Sequence, residues 1–114
     1  MDPTDKVYTS NMIACLIEEK MFDKAMTLIE NVVSVFNSEH VDLKVCARIL
    51  QRKGTIHMRR KEYKSAVEAF EESLHQLETD AVKVLLMEAK GNYTKKLELK
   101  KNSAFVKSSD LNGN

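Results

Sequence analysis

The sequence predicts an all-α fold, and three observations carry the prediction. Glycine occurs three times and proline once in 114 residues, too few breakers for the many tight turns of a β protein. Apolar residues recur at helical spacing through five successive segments. Only brief polar stretches separate those segments, so the connections are short.

The first helix spans about Val7 to Lys20, with Met12, Ile13, Leu16 and Ile17 in register. A break at Lys20-Met21-Phe22-Asp23 leads to a second helix, Asp23 to Phe36. Its inward residues are Ala25, Met26, Ile29, Val32, Val33 and Phe36. Asn37-Ser38-Glu39-His40 is a polar connector. The third helix spans Val41 to Arg59 on a stripe of Val45, Cys46, Ile49, Leu50 and Ile56. Arg60-Lys61-Glu62-Tyr63 forms a tight turn. The fourth helix, Lys64 to Gln76, points Ala66, Val67, Phe70 and Leu74 inward. Thr79 is placed to cap a fifth helix, Asp80 to Leu99, because its hydroxyl can accept a first-turn N–H. Val82, Leu85, Leu86, Ala89 and Tyr93 form that helix's stripe. Residues 102–114 are rich in Ser and Asn and read as a disordered tail.

Charge and composition exclude several functions. Eighteen Lys and Arg against seventeen Asp and Glu leave a formal charge of +1, without the basic excess of a dedicated nucleic-acid binder. No apolar run approaches the roughly 20 residues of a membrane span, and no secretory signal is visible at Met1–Lys6. Cys15 and Cys46 form no CxxC pair and read as reduced, buried thiols. A cytoplasmic or nuclear protein is expected. His40, His57 and His75 share no metal-ligand spacing with the cysteines. There is no phosphate-binding glycine loop and no nucleophile elbow, so neither an enzyme nor a cofactor is expected. Glu18-Glu19 and Glu71-Glu72 read as solvated faces. Lys95-Lys96-Leu97-Glu98-Leu99-Lys100-Lys101 reads as cations complementing a helix C-terminus. No aromatic residues are interleaved there to stack bases.

The chain also repeats itself. Phe22, Ala25, Ile29, Val32 and Val33 recur as Tyr63, Ala66, Phe70, Ser73 and Leu74, a period of 63 − 22 = 41. Gly54, lacking a Cβ, lets paired helices approach closely. These residues resemble the tetratricopeptide repeat (TPR), a helix–turn–helix unit. The second unit (Gly54, Tyr63, Ala66, Phe70, Ser73, Leu74) fits better than the first, where Ile13 stands at the small-residue position. The period exceeds the usual TPR length, so extended helices are expected. The resemblance implies a TPR-like domain over 6–99, with repeats 6–38 and 41–77, a capping helix 80–99 and a tail 100–114. Over residues 7–97 the chain is most similar to the middle TPR module of the Hsp-organising (Hop/Sti) co-chaperones, strongest over Ala47–Leu77.

That resemblance implies recognition of a partner's C-terminal Glu-Glu-Val-Asp peptide, as carried by heat-shock proteins 90 and 70. Convergent donors grip the terminal carboxylates. The matching positions here are Asn11, Arg48 and Arg52, although the family usually has Lys where Arg48 stands. Independently of the family, Arg48 and Arg52 are i and i+4, so both guanidiniums leave one helix face. They repel each other unless an anion lies between them. The sequence starts at what would be the module's second repeat. The family's first repeat carries a Lys and an Asn of the clamp. Two such charge-assisted bonds at roughly 1.5–3 kcal/mol each would be worth about a hundredfold or more in affinity. A repeat without its predecessor also leaves Met12, Leu16 and Met26 uncovered, so self-association through the N-terminal hairpin is expected. The alternative function is a structural assembly module with no preference for free C-termini. It would share the all-α fold and lack only the clamp.

Overall fold

In the computed structural model, residues 6–36 and 42–113 are described, with side chains over 9–34 and 42–101. Five α-helices follow one another: α1 (Lys6–Glu18), α2 (Phe22–Phe36), α3 (Leu43–Arg59), α4 (Tyr63–Gln76) and α5 (Asp80–Gly113). No strand occurs among the described residues. The expected all-α class is observed, with every helix boundary within two residues of its expected place except the end of α5. The connector Asn37–His40, Val41 and the inward position assigned to Phe36 lie outside what is described.

Two helical hairpins are built on the same turn. Lys20 and Lys61 adopt the left-handed conformation, with φ of 60° and 63°. Lys20 N–H bonds Ile17 O at 2.9 Å and Met21 N–H bonds Leu16 O at 2.8 Å. Lys61 N–H bonds Met58 O at 3.0 Å and Glu62 N–H bonds His57 O at 2.8 Å. This paired pattern is the Schellman motif, which satisfies carbonyls that the helix end orphans. Each donor and acceptor of the second turn stands 41 residues after its counterpart in the first. The period read from side-chain types is therefore also a period of backbone hydrogen bonding.

Caps start two of the helices. Asp42 accepts from Lys44 N–H at 2.8 Å at the head of α3. Thr79 accepts from Val82 N–H at 3.3 Å at the head of α5, as the sequence predicts. Glu62 makes no such cap for α4. Its carboxylate instead lies 2.8 Å from His57 Nδ1.

The core has two parts. Ile13 and Ile17 of α1, Ala25 and Ile29 of α2, and Ile49 and Ile56 of α3 form the first. Ala66 and Phe70 of α4 with Val82 and Ala89 of α5 form the second. Gly54 joins α3 to α4. A Cβ there would lie 2.6 Å from Phe70 Cδ1 and 2.8 Å from Cζ, so the ring occupies the space any side chain would need. Ser73, fully buried, donates to Ala47 O across the same helix pair at 2.7 Å. Each turn aromatic then meets a cation from a later segment. Arg60 sits over the Phe22 ring (5.7 Å) and pairs with Asp23. Lys96 of α5 sits over Tyr63 (5.8 Å) and donates to Lys61 O at 3.1 Å.

Three expectations change. Met12 is 38% exposed rather than inward, because the buried row of α1 is Ser10, Ile13 and Ile17, at i, i+3 and i+7. Cys15 is exposed while Cys46 is buried, since Cys15 falls midway between Ile13 and Ile17 on the opposite side of the helix. Finally, α5 continues beyond Leu99 to Gly113, through the segment that composition marks as a tail. No proline interrupts it. Lys95–Lys101 therefore lie within a helix and not at its C-terminus, and Lys96 is used in packing.

Candidate functional site

Arg48 and Arg52 occupy successive turns of one α3 face. The i and i+4 spacing puts them side by side, and Arg52 flanks the core-facing stripe of Val45, Ile49 and Ile56. Arg48 is exposed and Arg52 half-buried. Arg52 Nε is buried and has no hydrogen-bond partner among the described residues. Neither arginine forms an ion pair with a described carboxylate. Burial, and then repulsion from Arg48, push the Arg52 guanidinium below the usual arginine value. The Arg52 guanidinium still carries its charge at ordinary pH.

The other two arginines of this region are placed differently. Arg60 pairs with Asp23. Arg59 stands 3.9 Å from Glu18 of α1. Among the described residues, the arginines without a carboxylate partner are thus the two in the middle of α3, where partial burial makes the charge of Arg52 costly.

Asn11 is exposed on α1. Its level along the stack follows from the Glu18–Arg59 approach. The α1 and α3 helices run the same way, because α2 returns between them. Asn11 lies seven residues before Glu18, and Arg52 seven before Arg59. Both are two turns, about 10 Å, from that ion pair on the same side. Asn11 and Arg52 therefore face the same surface at the same level. They are also 41 residues apart, so they are equivalent positions of the two hairpins. By this register Asn11 falls at the level of Arg52, while no hydrogen bond joins Asn11 to either arginine among the described residues.

That face continues into a groove between α3, α4 and α5. Thr55, Met58 and Arg59 of α3, Tyr63 and Phe70 of α4, and Leu85, Glu88 and Asn92 of α5 line it. Thr55 and Arg59 extend the Arg48–Arg52 stripe at i+3 and i+7 from Arg52. Thr55 Oγ1 is committed to Gln51 O at 3.1 Å. The sequence reading did not include Glu18 or Arg59 in the site. Adding the 41-residue period to Glu18, as to Asn11, would have found the pair.

Ser10 Oγ, on the buried row of α1, also lacks a partner among the described residues. No group of three His, Cys, Asp or Glu able to hold a metal occurs among them. No described helix is long and apolar enough to cross a membrane. No protein-family model matches the chain, and no curated protein matches it.

Proposed function

We propose that this chain is a peptide-recognition module of the tetratricopeptide-repeat type that holds a partner's C-terminal carboxylate on Arg52, Arg48 and Asn11. The observation that carries the proposal is the Arg52 guanidinium. It is half-buried, its Nε has no partner among the described residues, and the charge of Arg48 repels it. Such an arrangement is unfavourable alone and favourable around an anion. A chain terminus supplies an anion that is planar, exposed and able to accept two parallel N–H bonds from one guanidinium. Asn11 adds an amide donor at the same level. The repeated turn and the 41-residue equivalence of Asn11 and Arg52 support the repeat assignment.

The resemblance to the Hsp-organising co-chaperones narrows the ligand to the acidic C-terminal peptide of heat-shock protein 90 or 70. Fluorescence polarisation with a labelled Met-Glu-Glu-Val-Asp peptide, beside the same peptide amidated at its C-terminus, tests the reading. The free acid binds and the amide does not. Equal affinities would overturn it.

A second reading, an assembly module, is favoured by the outer side of the first hairpin. There Leu16, Thr27 and Leu28 line a groove, and Met12 of the same hairpin is 38% exposed. In that case the protein self-associates, and light scattering at high concentration reports a mass above the 13.0 kDa of one chain.

A further inference from the structure

One side of α5 is its own complement when turned end for end. Val84, Glu88, Gly91, Lys95 and Leu99 follow one another at i, i+4, i+7, i+11 and i+15. At about 100° per residue they lie within about 80° of one another around the helix. The helix packs on α4 through a different side, where Val82 and Ala89 are buried. Val84 is 63% exposed and Leu99 70%. Glu88, at the rim of the groove that Arg59 also lines, is exposed, as is Lys95. Neither forms an ion pair among the described residues. Two other lysines of α5 are engaged, Lys83 with Glu78 at 2.9 Å and Lys96 with the Tyr63 ring. At Gly54 the Phe70 ring fills the place a Cβ would take, whereas at Gly91 no atom lies within 4 Å of it.

The stripe is centred between Gly91 and Asn92. About that centre Val84 mirrors Leu99, and Glu88 mirrors Lys95. We propose that a second copy of this chain docks on this stripe, with the two α5 helices antiparallel and crossing at Gly91. Val84 of each copy then meets Leu99 of the other, and Glu88 of each meets Lys95 of the other. Glycine at the crossing lets the two backbones approach closely. A parallel pairing in register would set Glu88 against Glu88 and Lys95 against Lys95, which repel. Beside the stripe, Met87 and Thr94 are neutral, and Glu98 comes within a turn of Lys83 of the other copy. The self-match is what identifies the occupant, since an unrelated helix would have to reproduce the same spacing in reverse. The contact uses neither the first hairpin nor the arginine face, so it stands apart from both readings above. A single four-turn contact is small beside the roughly 800 Å² per partner of a standard interface, so the dimer dissociates on dilution.

Sedimentation equilibrium of the full chain tests the inference at concentrations up to about 1 mM. The mass rises with concentration from the 13.0 kDa of one chain towards that of two. Glu88→Lys and Lys95→Glu each turn both ion pairs of the dimer into repulsions, and each raises the dissociation constant about tenfold. An equimolar mixture of the two variants returns it to within about threefold of the wild-type value, because in the mixed dimer both pairs are again of opposite charge. Gly91→Gln, for which the single chain has room, weakens the dimer without lowering the thermal midpoint in dilute solution. Met12→Glu, on the first hairpin, leaves the dimer unchanged. Circular dichroism of each variant shows the wild-type helical content. A wild-type chain that stays monomeric at about 1 mM overturns the inference. So does a dimer that Met12→Glu abolishes, or one indifferent to Glu88→Lys. Single variants whose mixture associates no better than either alone overturn the antiparallel pairing and the inference with it.

Discussion

Lys20 and Lys61 stand 41 residues apart, and both hold the left-handed backbone conformation, at φ of 60° and 63°. A lysine in that region costs roughly 1–2 kcal/mol against its Cβ, a cost that glycine escapes at the expense of some chain entropy. The two turns nevertheless close with the same pair of hydrogen bonds. Replacing either lysine with glycine should therefore stabilise the protein by about 0.5–1 kcal/mol. Lys61→Gly keeps the carbonyl that Lys96 uses. Thermal unfolding by circular dichroism should show the midpoint rising by about 4 °C for each variant. A fall in either would mean that the lysine side chains stabilise the turns.

Gly54 and Phe70 fix the spacing of α3 and α4. Gly54→Ala should destabilise the protein by about 1–3 kcal/mol, because the ring must move off its preferred position. In that background, Phe70→Leu should cost less than it does alone, since the smaller side chain relieves the clash. Urea unfolding of the two single variants and the double variant gives the coupling. Additive effects would contradict the packing described.

The sequence made the helix pattern legible because each segment carries a 3.6-residue stripe, and the period was legible because both turns use an aromatic followed by alanine. What it hid depends on which flank of a helix meets a neighbour. Met12 and Ile13 look equivalent in the sequence, yet only Ile13 lies on the row facing α2 and α3. Cys15 is exposed for the same reason. The end of α5 was hidden because Ser and Asn are weak helix formers rather than breakers, and composition alone does not place a stop. Within the candidate site, the spacing of Arg48 and Arg52 was plain. The burial of Arg52 was not, because it arises from the tertiary packing around α3, and neither was the Glu18–Arg59 approach, because it joins two helices.

Arg48 and Arg52 should trade stability for binding. Arg48→Gln removes the like charge beside Arg52, so it should raise stability by a few tenths of a kcal/mol at low ionic strength. The gain should vanish near 1 M salt, where the screening length is about 3 Å. The same substitution should weaken free-acid peptide binding about tenfold, the loss of one charge-assisted hydrogen bond. Chemical unfolding at two salt concentrations, paired with a peptide titration, checks both halves. A variant that loses stability and keeps its affinity would show Arg48 to be an ordinary surface residue.

The most direct measurement observes Arg52 Nε itself. In a nitrogen–proton NMR spectrum optimised for arginine side chains, the Arg52 signal is assigned by its absence from Arg52→Lys. Adding the free-acid Met-Glu-Glu-Val-Asp peptide should shift that signal and sharpen it, as the N–H gains a carboxylate acceptor and slows its exchange with water. The amidated peptide should leave it where it was. An Arg52 signal indifferent to both peptides, at concentrations where the backbone spectrum is intact, would contradict the assignment of this face as a carboxylate site.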